Sequence, residues 1–233
     1  MLHYEAVSPG TIMLLKKLNT LPELSVFNLV GGTSLALQTG HRISVDLDFF
    51  SSQYFDVDVL RKKLSFYFPE FELISTSRLG FSCKIQEVKC GFYNWDAPFI
   101  KPPIIEDGIN FCSLEDIATL KFDAILTRKE KKDFWDIEIL ISKFGFENIL
   151  LFYKQKYPNN DIKLALDALA AIDLADESQD PVIVIPKHWE DIKIFIKKSW
   201  QLYRDEKLSQ KENEKQERLR KAEEMLKNKK RNL

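Results

Sequence analysis

Residues 31–50 read GGTSLALQTGHRISVDLDFF, and this stretch decides the fold. It opens on Gly31-Gly32, directly after the apolar run VFNLV at residues 26–30, which reads as a short strand that the glycines end. Residues 33–39 read as a short helix with Gly40 as its stop, because glycine accepts the left-handed conformation that closes a helix. Beyond it Ile43, Val45, Leu47 and Phe49 alternate with Ser44, Asp46 and Asp48. A period of two predicts a strand with one apolar and one polar face. Asp46 and Asp48 are therefore expected on one side, about 6–7 Å apart along the chain. Ile43, Val45 and Leu47 are expected to be buried on the other.

Two carboxylates so placed can share one divalent cation or hold two. A hard cation such as Mg²⁺, or Mn²⁺, favours carboxylate oxygen and keeps positions open for phosphate. The Gly31-Gly32 turn lets a phosphate approach the backbone with no Cβ in the way. The following helix aims free N–H groups and its positive dipole end at that phosphate, and Ser34 can add a hydroxyl. Taken singly, an Asp-x-Asp is an ordinary solvated strand face and a Gly-Gly an ordinary turn. The order strand, Gly-Gly, helix, strand, Asp-x-Asp is far more specific, and it describes a metal–nucleotide site.

Upstream, Ser8-Pro9 reads as the cap and first position of a helix that Pro22 closes. Downstream, residues 57–68 read as a helix, and residues 71–77, 81–88 and 89–95 as strand material with Gly80 at a turn. Pro98, Pro102 and Pro103 mark a loop. Ser113-Leu-Glu-Asp116 has the pattern of a capping box and opens a helix to about residue 126. After a charged connector at residues 128–132, Asp133 can cap the next helix. Further helices follow Gly145, residues 176–186 look like a linker, and Trp189, Ile192, Ile196, Trp200 and Tyr203 recur at helical spacing as a buried stripe. The alternation predicts an α+β domain with a small mixed sheet, followed by a helical C-terminal region. Residues 1–143 are read as the core, 144–206 as the helical region and 207–233 as a charged helical tail with a thin stripe of Leu219, Ala222 and Leu226.

The 233 residues carry a net charge of −1, so overall charge calls for neither a nucleic-acid nor a membrane partner. The tail from Lys207 on nevertheless holds ten Lys/Arg against five Glu. It reads as a solvated helix first and as an RNA or protein contact second. No apolar run approaches the ~18 residues that span a bilayer. The first ten residues, MLHYEAVSPG, lack the basic and apolar regions of a signal peptide. Cys83, Cys90 and Cys112 form no Cys-x-x-Cys, which fits a reducing, cytoplasmic setting without a zinc site.

The stretch GGTSLALQTGHRISVDLDFF resembles the signature of the AbiEii/AbiGii toxin family of nucleotidyltransferases, within the DNA polymerase β-like superfamily. The superfamily pattern is Gly-[Gly/Ser], a spacer, then Asp-x-[Asp/Glu], and it falls on Gly31, Gly32, Asp46 and Asp48. A later block, LEDIATLKFDAILTRKEKKDFWDIEIL, is similar to the family's second signature. By that resemblance Lys121 matches the family's lysine and Asp133 its later aspartate, and the likeness runs from about residue 8 to residue 141.

The resemblance implies a polymerase-β-like core and metal-dependent transfer of a nucleotide from an NTP. The acceptor class spans RNA such as tRNA, protein side chains and small molecules. It also implies a bacterial toxin paired with a separate antitoxin in toxin–antitoxin or phage defence. Asp46 and Asp48 would hold Mg²⁺; Gly31, Gly32, Ser34 and Lys121 would bind the nucleotide; Lys121 and Asp133 would join the two acids in catalysis. Lys121 in an apolar helix needs an anionic partner, phosphate among them, unless it snorkels to the surface. Asp136 can pair with a lysine, and His41 and Arg42 can reach nucleotide. Arg128, Lys129, Lys131 and Lys132 can steer phosphate or RNA.

One departure stands out. Relatives often carry a third carboxylate in a strand like Lys-Val-Asp-Phe, whereas this chain has Lys89-Cys90-Gly91-Phe92. Glu87 shares the strand parity but lies about 13 Å away along an extended chain. Asp133 is the candidate to compensate. Gly91 favours one alternative, a catalytically weak nucleotide-binding or interaction protein on the same fold; a phosphotransferase that moves a terminal phosphate is the second.

Overall fold

The computed structural model describes residues 1–231, with side chains described through residue 221. Asn232 and Leu233 of the expected tail, and the side chains of Ala222 and Leu226, lie outside what is described. The helix α1 (Pro9–Asn19) starts as expected, with the Ser8 hydroxyl accepting from the Thr11 amide and proline in the first turn. The strand β1 (Asn28–Val30) leads straight into α2 (Gly31–Thr39), which Gly40 closes in the left-handed conformation. Then come β2 (Leu47–Ser51), α3 (Val57–Tyr67), β3 (Glu72–Thr76), β4 (Gly80–Ile85), β5 (Val88–Asn94), β6 (Ile104–Glu106) and β7 (Ile109–Phe111). The chain ends in α4 (Leu114–Thr127), α5 (Lys131–Phe144), α6 (Phe146–Lys156), α7 (Ile162–Ala170) and α8 (Trp189–Arg231).

The seven strands form one mixed sheet in the order β3-β4-β5-β2-β1-β7-β6. The motif strands sit at its centre, β2 antiparallel to β1 and parallel to β5. The alternation of β2 sorts its side chains between two layers. Leu47 and Phe49 join the apolar cluster under α1 and α3, with Leu14, Leu18, Leu64, Phe81 and Phe92. Asp48 and Phe50 face the other way, toward the cluster built from α4 to α8, which also takes in Val30 and Leu35. Burying a Leu or Phe side chain stabilises by roughly 1.5–3 kcal/mol, so this sorting fixes which face the aspartate occupies.

The structure changes several expectations. The strand begins at Leu47, and Val45 is 56% exposed rather than buried. Residues 41–44 leave the sheet for other partners: Ser44 bridges Val7, and Arg42 bridges Ile183. The hairpin between β4 and β5 turns at Gln86-Glu87, both in the left-handed region at φ 50° and 66°. Glu87 is therefore a turn residue, ion-paired to Lys84 at 2.5 Å. Ser113 caps α4 as expected, accepting from the Asp116 amide. The cap position of α5 belongs to Glu130 instead of Asp133, which lies inside the first turn.

Residues 176–186 are not a free linker. The Val182 carbonyl accepts from the Ile43 amide at 2.7 Å, and the Val184 and Ile185 amides donate to the His41 carbonyl. The Ser178 hydroxyl accepts from the Lys131 amide at 2.8 Å, and Asp180 pairs with Lys131 at 2.8 Å. This strap ties the helical layer to the loop that carries the motif. Beyond it Ile192 and Ile196 are buried, with Trp189, Trp200 and Tyr203 packed partly against the same cluster. From residue 208 to 221 every side chain of α8 is exposed.

Candidate active site

The C-terminal end of β1, the first turn of α2 and the start of β2 meet at one edge of the sheet. A cavity of about 440 Å³ opens there, bounded by Gly32, Arg42, Asp46, Asp48, Lys121 and Arg128, with Ser178–Val182 of the strap as its outer wall. A smaller recess of about 210 Å³ adjoins it, sharing Gly32, Asp48, Lys121 and Arg128 and adding Gly31, Phe50, Tyr93 and Leu120. Asp48 thus stands where the two spaces meet.

Both glycines are required by close approach. Gly31 has φ 69°, and a Cβ there would come within 2.8 Å of an Asp48 carboxylate oxygen. A Cβ on Gly32 would come within 2.5 Å of the Arg42 guanidinium. The backbone of the turn is bare so that the chain's own aspartate and arginine can lie against it, with the N-terminus of α2 beside them. Thr33, which the sequence reading passed over, fixes the other acid. Its hydroxyl bonds Ser44 at 2.9 Å and also donates to the Asp46 carbonyl. Ser34 does not reach the cavity: it is fully buried and its hydroxyl accepts from Gln38 at 3.1 Å.

Among the described residues, no hydrogen bond or ion pair engages the carboxylates of Asp46 and Asp48. Burial, and then the neighbouring Asp46 charge, push the Asp48 pKa up, against the pull of Lys121 and Arg128. Two adjacent, unpaired carboxylates are a donor set that a hard divalent cation fits, with phosphate or water completing its coordination. No group of three or more His, Cys, Asp or Glu is placed to hold a metal among the described residues.

Lys121 lines the cavity, but its ammonium is held from behind. It contacts Asp136 at 2.5 Å and Asp133 at 3.2 Å. Asp136 also accepts from Arg42 through two N–H groups at 2.6 and 2.7 Å, and lies 2.7 Å from His41. Asp133 accepts two bonds from Arg128, at 2.8 and 2.7 Å. Both aspartates are completely buried, and Asp133 does not line the cavity. Burial alone would raise their pKa values. For Asp133 the Arg128 hydrogen bond and the Lys121 charge outweigh it, and for Asp136 the charges of Arg42 and Lys121 do, so both carboxyls are held below the usual range.

Of the residues named from the sequence, the structure brings together Gly31, Gly32, Asp46, Asp48 and Lys121. It sets Asp133 behind Lys121 and Ser34 inside α2. His41, Arg42 and Asp136 belong to the network that holds Lys121. The spacing of Asp133 and Asp136, one helical turn apart on α5, was the available signal for such a shared partner.

A family model described as "Nucleotidyl transferase AbiEii toxin, Type IV TA system" matches residues 14–77, which include the Gly-Gly turn and both motif aspartates. Uncharacterized protein aq_aa25 of Aquifex aeolicus (strain VF5) is 28% identical over 195 residues, 81% of this chain and 93% of that protein. The crystal structure of JHP933 from Helicobacter pylori superposes with a TM-score of 0.53 at 21% identity, covering 90% of this chain and 99% of that one. A candidate nucleotidyltransferase from H. pylori superposes with a TM-score of 0.54 at 20% identity, covering 86% and 98%. The chain is thus similar, through its motif segment, to the AbiEii nucleotidyltransferase toxins, and its fold is that of the polymerase-β-like nucleotidyltransferases.

Proposed function

We propose that this protein transfers a nucleotide from an NTP to an acceptor nucleophile and releases pyrophosphate. The observation that carries the reading is the pair Asp46 and Asp48, without a hydrogen-bond or ion-pair partner among the described residues and opening onto a cavity beside the N-terminus of α2 and Lys121. A Mg²⁺ or Mn²⁺ ion held by this pair would neutralise triphosphate charge and polarise the reacting phosphoryl group. The free amides of the first turn of α2 would donate to phosphate oxygens. Lys121 has three N–H donors, and its two aspartate partners leave one for the charge that develops on the phosphate. Asp133 and Asp136 act through Lys121 and Arg128 as positioning residues, and Ser34 supports α2 from within.

The acceptor is proposed to be an RNA, tRNA included, with protein and small-molecule acceptors as the alternatives that the same chemistry serves. The similarity to AbiEii toxins supports a toxin restrained by a separate antitoxin protein. The three cysteines are free and buried, and no helix among the described residues is long and apolar enough to cross a membrane. The free, buried cysteines support a reducing cytoplasm as the working compartment. Within this reading residues 1–143 form the catalytic core, 144–206 the helical region that completes the cavity, and 207–233 a charged tail.

The test is incubation with base- and γ-labelled NTPs, Mg²⁺ and total RNA or candidate acceptors. Base label on the acceptor with release of pyrophosphate is expected. Transfer of the γ label would assign a phosphotransferase instead. NTP binding without turnover would assign a nucleotide-binding protein.

A further inference from the structure

The register of the sheet places Gly91 of β5 directly beside Asp48 of β2, in a parallel pair. Side chains at paired positions of adjacent strands share a face about 4.8 Å apart, so an acid at position 91 would reach the same cation as Asp48. That room is already taken. A Cβ built on Gly91 would lie 2.6 Å from a ring carbon of Tyr93 and 2.9 Å from an Asp48 carboxylate oxygen. Tyr93, two residues further along β5 and therefore on the same face, lays its ring over Gly91. Its position is set by the edge-on contact with Phe50 at 5.9 Å, and Phe50 in turn packs on Trp95 at 4.3 Å.

Among the described residues the other acids near the site are engaged elsewhere: Glu130 and Asp180 also line the cavity, but pair with Lys132 at 2.7 Å and Lys131 at 2.8 Å. Asp133 has both oxygens engaged by Arg128 and one also by Lys121, and it lies outside the cavity. Glu87 sits in the hairpin turn, paired with Lys84. Two-metal phosphoryl-transfer sites hold their ions about 3.5–4 Å apart with ligands bridging and flanking both. Here, among the described residues, the donor set stops at two carboxylates.

We propose that this site binds a single divalent cation, on Asp46 and Asp48, and that the Tyr93 ring over Gly91 closes the position from which a second would be held. The inference rests on the nucleotidyltransferase reading above and narrows it to one-cation chemistry. Tyr93 is a specificity-determining residue for metal number, and Gly91 is the residue that admits its ring.

Electron paramagnetic resonance of Mn²⁺ added to the full chain with a non-hydrolysable NTP analogue tests this without turnover. The expected result is one bound Mn²⁺ per chain with an uncoupled spectrum. Asp48→Asn should lose that ion. Gly91→Asp alone should still bind one, whereas Gly91→Asp combined with Tyr93→Ala should bind two, with a magnetically coupled spectrum. Two coupled ions in the unaltered protein would overturn the proposal. A second ion in Gly91→Asp alone, or none in the folded double variant, would overturn the part given to Tyr93. No bound Mn²⁺ in the unaltered protein would instead overturn the metal-dependent reading itself. The count on the unaltered chain decides the main point even where a variant does not fold.

Discussion

Two pairs of aspartates face each other across Lys121, and they are built in opposite ways. Asp46 and Asp48 lie at the start of the central strand β2 with no hydrogen-bond or ion-pair partner among the described residues, and burial and then the Asp46 charge push the Asp48 pKa up. Asp133 and Asp136 lie fully buried on α5, saturated by Arg128, Arg42, Lys121 and His41, with pKa values pulled down. The first pair leaves its charge uncompensated in the folded state, which a proton or a bound cation would relieve. The second is a frame: a buried carboxylate that keeps all its partners holds them rigidly in return. Lys121 belongs to both, supported by the frame and presented to the cavity. The contrast teaches that carboxylates of one chemical type are sorted into open and scaffold groups by what the chain places around them.

The largest expected effect comes from breaking the open pair. Asp48→Asn should reduce transfer by at least ~1000-fold, about 4 kcal/mol in transition-state terms, while thermal stability without metal is unchanged or higher. A kinetic assay beside a melt would contradict the contrast if activity persisted or the fold collapsed. Breaking the closed pair should do the reverse in stability. Asp136→Asn leaves Arg42 and Lys121 as undercompensated buried cations and should cost ~3–5 kcal/mol in denaturant unfolding. A loss below about 1 kcal/mol would show that the network is not the frame described.

A smaller effect is expected at the shared residue. Lys121→Ala should slow transfer by at least ~10-fold, about 1.4 kcal/mol, and normal turnover would remove it from the chemistry. The mildest test is acid. Groups whose folded pKa lies below the unfolded value of about 3.9 contribute stability that is complete above that pH and is lost as pH falls through the folded value. Asp133 and Asp136 should therefore give a loss of stability below about pH 4 that is shallower in Asp136→Asn. Equal acid slopes in the two proteins would argue that the depressed pKa values have another origin.

Much of this arrangement was legible in the sequence because it rests on short-range pattern. The strand, Gly-Gly and helix succession, and the alternation at Leu47, Asp48, Phe49 and Phe50, follow from local periodicity imposed by burial on one face. The start of β2 was misread because Ile43 and Ser44 continue the alternation while their backbones bond to Val182 and Ala6 instead of a sheet neighbour. The turn at Gln86-Glu87 was hidden, since neither residue advertises a left-handed conformation as Asn-Gly would. Asp133 read as a helix cap because its neighbours along the chain are charged. Its partners are Arg128, five residues back in the charged connector, and Lys121 on the preceding helix, a meeting that only the one-turn spacing of Asp133 and Asp136 signals. The strap read as a linker because its polar, proline-flanked composition is that of a loop, and what it clasps lies far away in sequence.

That strap carries a consequence for how the protein comes into being. Chains are synthesised from the N-terminus, and contacts between distant segments form late. The motif glycines and aspartates emerge early, yet the outer wall of their cavity, Ser178–Val182, emerges only after most of the chain has been made. A nascent or prematurely terminated chain that stops short of the strap would display the motif without an enclosed chamber around it. The bridge between Arg42 and Ile183 therefore closes only after residues far downstream of the motif have been made.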